Sequence, residues 1–308
     1  MERLNKGKSL TNFVDNYTII DLETTGLSPE YDDIIELAAI KVKNNVIIDT
    51  FQKLVNPGYE IDEYITDLTG ITNKMLENQP MIDDIIEEYI DFISDDIVVG
   101  HNVNFDINFI YDNLYNCHNK YFSNSYIDTM RFARKLCKEL KHHRLVDLID
   151  FFNINTDAQH RALADCETTY SIYNSLNETA LKQFDSLDDF EKSFKYKKSS
   201  YKNLLKIKAT TDEFDETHPL FNKVCVFTGI LEKYKREEAA QIVANCGGTI
   251  GAGITKKTNY LILGNNDYCK TIRDGKSTKQ KKAEKYIKEG CDLIIIPEDV
   301  FYDMINEQ

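Results

Sequence analysis

Two acids separated by one residue, Asp21 and Glu23, close the stretch Tyr17-Thr18-Ile19-Ile20-Asp21-Leu22-Glu23-Thr24-Thr25-Gly26. Ile19, Ile20 and Leu22 read as a buried strand, and strand alternation then puts both carboxylates on one face. Adjacent carboxylates repel each other unless a cation sits between them. Hard oxygen donors of this kind suit Mg²⁺ or Mn²⁺. Gly26 would let the backbone turn close to whatever such ions hold. Asp-x-Glu alone is a weak signal, because acids at a strand end are usually just solvated. Two further stretches change that weighting. Gly100-His101-Asn102-Val103-Asn104-Phe105-Asp106 follows a short apolar run and opens a helix, so Asp106 can project at the sheet edge beside Asp21. In His160-Arg161-Ala162-Leu163-Ala164-Asp165, the last residue falls in the first turn of a helix with apolar positions Ala162, Cys166, Tyr170 and Tyr173. His160 lies on the loop leading into that helix. An acid at a helix start is usually a cap; the three stretches together, in this order and spacing, are what points to chemistry.

The elements that must position these residues follow from periodicity. Ile34 to Val42 and Val46 to Val55 read as strands joined by an Asn44-Asn45 hairpin turn. Ile61 to Met75 is helical in patches broken at Gly70. Met81 to Ser94 carries apolar residues at Ile82, Ile85, Ile86, Tyr89, Ile90 and Ile93, the spacing of an amphipathic helix. Ile97-Val98-Val99 is a short strand closed by Gly100. Helices are expected around Phe105–Leu114, Thr129–Leu136, Leu145–Phe152 and Ala162–Leu176. Strands first and alternating βα units afterwards predict an α/β domain over residues 1–180, a mixed sheet flanked by helices.

Residues 181–218 read as a linker with a basic, aromatic-studded run: Lys192, Lys195, Lys197, Lys198, Lys202, Lys206 and Lys208 among Phe194, Tyr196 and Tyr201. Such a run can track a single strand or simply be solvated, and the latter is the commoner case. Residues 219–308 restart a compact α/β pattern, with core strands at Val224–Phe227, Tyr260–Leu263 and Leu293–Ile296 and helices at Arg236–Asn245, Lys279–Glu289 and Asp299–Ile305.

Composition limits the function classes. The 308 residues carry a net charge of −14 and are 42% hydrophobic, so packed cores can form and simple charge coating of nucleic acid is disfavoured. The acid excess lies in the first 180 residues, so that half needs metal ions to handle an anion. Seven cysteines without a C-x-x-C pair read as reduced thiols. Met1 to Asn16 lacks a signal-peptide core, and no run of 18 apolar residues occurs, so a cytoplasmic protein without a membrane partner is expected.

The three acidic stretches resemble the three motifs of the DEDDh exonucleases, the family of the epsilon proofreading subunit of bacterial DNA polymerase III and of the exonuclease insert of the Gram-positive replicative polymerase. The likeness runs through residues 17–176 and includes Leu54-Val55-Asn56-Pro57-Gly58 and Leu68-Thr69-Gly70-Ile71-Thr72. It implies a ribonuclease-H-like fold and 3′→5′ hydrolysis of phosphodiesters. It also implies two Mg²⁺ or Mn²⁺ ions on Asp21, Glu23, Asp106 and Asp165, with His160 as general base. Arg at 161 fits the histidine subtype rather than the tyrosine one. Thr24, Thr25 and Gly26 match positions near the terminal nucleotide. Phe105 would stack on a base or serve as a core aromatic, and Thr69 stands where some relatives have histidine. His142 and His143 read as structural, and His118 and His218 receive no role.

The last ninety residues resemble a BRCT domain through Val226-Phe227-Thr228-Gly229, Arg236-Glu237-Glu238-Ala239, Cys246-Gly247-Gly248 and Lys256-Lys257-Thr258-Asn259-Tyr260-Leu261-Ile262-Leu263-Gly264. Similar modules occur in bacterial NAD-dependent DNA ligase and the large replication factor C subunit. The closing helix lacks the Trp of many relatives, leaving Phe301 or Tyr302 to fill that slot, and the loop Asn265 to Gly275 is long. Thr228, Gly229, Arg236 and Lys279 match phosphate-binding positions of the replication-factor-C type, with Arg273, Lys276, Lys281, Lys282 and Lys285 adding positive field.

The expected partners are single-stranded or frayed DNA 3′ ends, 5′-phosphorylated DNA ends through the BRCT module, and replication or repair proteins. Two other readings stay open: an RNA-directed exonuclease, and a BRCT scaffold for phosphorylated partners with an idle nuclease fold.

Overall fold

A computed structural model describes residues 3–156, 161–194, 204–231, 233–264 and 276–306. The chain divides near residue 195 into two compact units.

The first unit is built on a five-stranded mixed sheet. Its strands are β1 (Tyr17–Thr24), β2 (Ile34–Lys43), β3 (Val46–Leu54), β4 (Val98–Gly100) and β5 (Tyr126–Asp128), in the order β3-β2-β1-β4-β5. β1, β2 and β3 form an antiparallel meander, whereas β4 and β5 run parallel to β1. Asn44 and Asn45, both at positive φ, make the β2–β3 turn. β5 is a strand that no periodicity announced, because three residues are too few to show alternation.

Helices cover both faces. Ile20 and Leu22 pack toward α3 (Ile82–Ile93) and α4 (Asn104–His118), in a core with Ile86, Tyr89, Ile107 and Phe109. Tyr17 and Ile19 pack on the opposite face with Phe132 of α5 (Thr129–Leu136), Leu148 of α6 (Leu145–Phe152) and Cys166 and Tyr173 of α7 (Ala162–Gln183). Asp21 and Glu23 continue the Tyr17–Ile19 face toward the strand end, so α7 is the helix they meet. Between β3 and α3 stand α1 (Glu63–Thr69) and α2 (Asn73–Leu76), separated by Gly70 at φ 70°.

The span read as a linker, 181–218, is more ordered than its composition suggests. α7 runs on to Gln183, and α8 (Leu187–Ser193) follows, with Ser186 capping its start. Phe190 is fully buried against Phe132, Phe13 and Phe184. At the other end Leu204 is buried in the core of the second unit. A few well-placed apolar residues dock a polar segment, and composition averages them away. The basic run at 195–203 lies outside the described residues.

The second unit holds a four-stranded parallel sheet in the order β7-β6-β8-β9: β6 (Val224–Thr228), β7 (Thr249–Ile250), β8 (Tyr260–Leu263) and β9 (Ile294–Pro297). Around it lie α9 (Arg236–Asn245), α10 (Thr278–Lys288) and α11 (Glu298–Asn306). Phe301 and Tyr302 occupy the core in place of a Trp: Phe301 packs edge-on against Phe227, and the Tyr302 hydroxyl donates to Glu298. The long loop 265–275 lies outside the described residues. Six cysteines among the described residues are free thiols, and no described helix is long and apolar enough to cross a membrane.

Candidate active site and candidate phosphate site

The acidic centre of the first unit draws on three elements. Asp21 and Glu23 stand on the α7 face at the end of β1, and Asp165 comes from the first turn of α7. Carboxylate oxygens of Asp21, Glu23 and Asp165 all lie within 4.8 Å of one another. Asp106, buried in the first turn of α4, reaches the same strand end from the opposite layer and presses electrostatically on Asp21. His160 lies outside the described residues.

Packing acids this closely has a measurable cost. Burial raises the Asp21 carboxyl well above its usual range, and Asp106, Asp165, Glu23 and Glu36 push it further. Glu23 is pushed up to about 8, by burial first and then by Asp165 and Glu36, with the Arg161 guanidinium pulling the other way. Asp106 is also raised, mainly by burial, against the opposing pull of the backbone amides of Asp106 and Leu22. Asp21, Glu23 and Asp165 form a group that could hold a metal ion.

This clustering predicts a pH dependence. Glu23 holds its proton to about 8 in the folded protein, against 4.5 ordinarily, so the folded state binds more protons than the unfolded chain across that window. Stability then falls as pH rises through it. Thermal melting of chelated protein is expected at progressively lower temperature from pH 4.5 to about 8. Mn²⁺ or Mg²⁺, by binding only the folded charged cluster, should remove the fall. A melting temperature that ignores both pH and metal would mean that the acids do not cluster in solution.

Surrounding residues hold this geometry. Asn102, at φ 59°, donates its backbone N–H to buried Asp128 (3.0 Å), which also caps α5 through Met130 N–H (3.0 Å). Asp128 thereby fixes the turn that launches α4 and Asp106. His101 is locked between Thr129 (2.9 Å) and the His143 carbonyl (2.8 Å), and burial lowers its pKa to about 4, so it is a neutral structural group. His143 in turn meets the Cys137 carbonyl (3.0 Å). His118 meets the Asp83 carbonyl, and His218 accepts from Leu220 N–H.

The residues expected near a nucleotide form a pinned loop. Thr24 donates to the Gly26 carbonyl (2.7 Å), and Thr25 accepts from Asp33 N–H (2.9 Å) and meets the Tyr59 hydroxyl (3.1 Å). Gly26 leaves room for the Asp32 side chain. A Cβ there would stand 2.4 Å from the Asp32 carboxylate, which itself accepts from Ser28 N–H. Phe105 is half-buried against Phe109. Thr69 caps the end of α1, donating to Ile65 O and accepting from Ile71 N–H.

Sequence reading gave no positioning role to Glu36, and it used Arg161 only to choose between subtypes. Glu36 sits opposite Glu23 in the β1–β2 register and is fully buried. An acid inside Ile34-Ile35-Glu36-Leu37-Ala38-Ala39-Ile40 was a legible signal, since a buried charge demands a partner.

In the second unit, Thr228, Gly229, Arg236 and Lys279 come together at the end of β6. Thr228 donates to Ser277 (2.8 Å), the buried N-cap of α10, which sequence reading had missed. Gly229 sits at φ 73°; Arg236 donates to its carbonyl, and Lys279 donates to the Phe227 carbonyl (2.9 Å). Burial and the neighbouring Arg236 cation lower Lys279 to about 8. Two neighbouring cations and a hydroxyl pair at one strand end are groups that could bind an anion. Lys276 forms an ion pair with Glu284, and Arg273 lies outside the described residues.

Comparison with known proteins places these features. The exonuclease family model (RNase_T) matches residues 18–173, and the BRCA1 C Terminus (BRCT) domain model matches residues 216–299. DNA polymerase III subunit epsilon of Aquifex aeolicus is 40% identical over 172 residues, covering 56% of this chain and 85% of that protein. DNA polymerase III PolC-type of Bacillus subtilis is 40% identical over 183 residues, which span 58% of this chain but 13% of that polymerase. Escherichia coli exonuclease I in complex with a dT13 oligonucleotide superposes with a TM-score of 0.50 at 19% identity, over 56% of this chain and 43% of that one, a likeness of fold.

Proposed function

The chain belongs to the exonuclease family and carries a C-terminal BRCT domain, and from that premise we propose a 3′→5′ exodeoxyribonuclease that trims DNA ends in replication or repair. The observation carrying this reading is the convergence of Asp21, Glu23 and Asp165 within 4.8 Å, with Asp106 alongside. The two sequence relatives are named as parts of DNA polymerases, which favours DNA over RNA. We place the exonuclease domain at residues 1–180 and the BRCT domain at 219–308.

Asp21, Glu23, Asp106 and Asp165 would hold two Mg²⁺ or Mn²⁺ ions. Such ions would supply charge stabilisation for phosphodiester hydrolysis. The protein does the rest. His160 takes a proton from the attacking water. The loop Thr24-Thr25-Gly26, pinned by Asp33 and Tyr59, seats the terminal nucleotide, and Phe105 is the candidate to stack on a base. The test is hydrolysis of 5′-labelled single-stranded, duplex, mismatched and RNA oligonucleotides. DNA ladders shortening from the 3′ end with Mg²⁺ or Mn²⁺, and intact strands with EDTA, are expected. Shortening only of RNA would move the substrate class, and no hydrolysis would favour the scaffold reading.

For the BRCT unit we propose that Thr228, Gly229, Arg236 and Lys279 grip a DNA 5′-phosphate and hold the nuclease near a break. Thr228→Ala with Lys279→Ala should weaken binding of 5′-phosphorylated duplex but not of its 5′-hydroxyl twin. The salt slope of log K should fall by about 0.9 for each phosphate the variant no longer neutralises. Binding should also weaken above pH 8, where Lys279 loses its charge. Equal affinity of the parent for both duplexes would rule the pocket out and favour a protein partner.

A further inference from the structure

Beyond the metal-facing acids, the centre contains a fifth carboxylate turned to a different use. Glu36 on β2 has no exposed side-chain surface, yet its carboxylate is ringed by donors. Arg161 grips it with both arms of its guanidinium: Nε donates to Oε2 (3.2 Å) and Nη2 to Oε1 (2.8 Å). Oε1 also accepts from Gln52 Nε2 of β3 (2.8 Å), and Oε2 from the backbone N–H of Ala162 (3.1 Å). The carboxylate therefore ties two neighbouring strands to the first residues of α7.

That attachment point matters because of what lies on either side of it. Glu36 faces Glu23 across the β1–β2 ladder. Arg161 is the N-cap of α7, and its carbonyl accepts the backbone N–H of Asp165 at 3.0 Å. Asp165 is thus held by the first turn of a helix whose start is fastened, through Glu36, to the strand beside Glu23. Helix α7 reaches the sheet after a long excursion of chain, its start is anchored in the core by Ala162 and Cys166, and the acids beside Asp165 repel one another, so a further hold on its first turn counters that repulsion. We propose that Glu36 and Arg161 act as one positioning clamp, which fixes Asp165 against Asp21 and Glu23. The inference rests on the proposed metal-dependent reading of this centre.

The clamp explains two choices of side chain. Arginine, not lysine, suits the site, because only a planar fork can bind both carboxylate oxygens. Its cation also stands next to Glu23 and eases the ionisation of that ligand. Outer residues that orient metal ligands typically carry 10- to 100-fold in metal affinity or activity, and that sets the expected scale.

The experiment compares full-length parent, Glu36→Gln, Arg161→Lys, Arg161→Gln and the Glu36→Gln/Arg161→Gln double variant. Mn²⁺ affinity is read by calorimetry, together with kcat and KM on a single-stranded oligonucleotide and the circular dichroism of the metal-free proteins. Each single variant should lose about 10- to 100-fold in Mn²⁺ affinity and in kcat, with KM unchanged and kcat recovering as Mn²⁺ is raised. Arg161→Lys should fail to rescue, although it keeps the charge. The double variant should be no worse than the single ones, as expected of residues acting as a unit. Parent-like Mn²⁺ affinity and kcat in a folded Glu36→Gln would overturn the clamp. Were Glu36→Gln not to fold, the part-exposed Arg161→Gln decides on the same readouts. A parent that neither binds Mn²⁺ nor cleaves DNA overturns the metal reading itself, whereas a competent parent with unaffected variants overturns the clamp alone.

Discussion

Asp21→Asn is expected to cut turnover by more than about 10³-fold, since loss of one preorganised charge-stabilising group already costs roughly 10²–10³. Asp21 sits at the middle of the cluster and is pressed by Asp106, Asp165, Glu23 and Glu36, so it is the acid with most to offer a cation and least reason to be there without one. The amide keeps the shape of the side chain and removes its charge. Calorimetric titration should therefore show two Mn²⁺ sites in the parent and weakened binding in the variant. Stability should move the opposite way: without metal, the variant should melt at or above the parent temperature, because a buried carboxyl pressed by its acidic neighbours has gone. A structural acid would behave differently, its loss lowering the melting temperature with or without metal. Unchanged hydrolysis would sink the two-metal assignment, and Asp106→Asn provides an independent check from helix α4.

His160→Ala is the second large effect, a loss of about 10²–10⁴ in rate, the usual size of a general-base contribution. Metal binding should survive, because the four carboxylates remain. Loss of Mn²⁺ binding in His160→Ala would make His160 a ligand or a prop instead of the base.

Much of this was legible in the amino-acid order because the signals are local. Strand alternation put Asp21 and Glu23 on one face, and Gly70 and Gly100 stand where the helix and strand they close were expected to end. The amphipathic spacing of Ile82, Ile85, Ile86, Tyr89 and Ile93 marked α3 to within a residue. Elements too short for a period, such as β5, and segments docked by one or two aromatics, such as α8 with Phe190, were not legible.

The partners of buried polar groups were decided only by the tertiary structure. Glu36 and Arg161 are 125 residues apart, and Thr228 and Ser277 are 49 apart. Sequence could say that a charge inside β2 must be satisfied. It could not say by what, because the answer depends on the register that sets Glu36 opposite Glu23 and on where α7 returns to the sheet. Which residue types could do chemistry is a property of the chain order; which atoms meet is set by strand register and helix packing, and those are fixed only when the whole core closes.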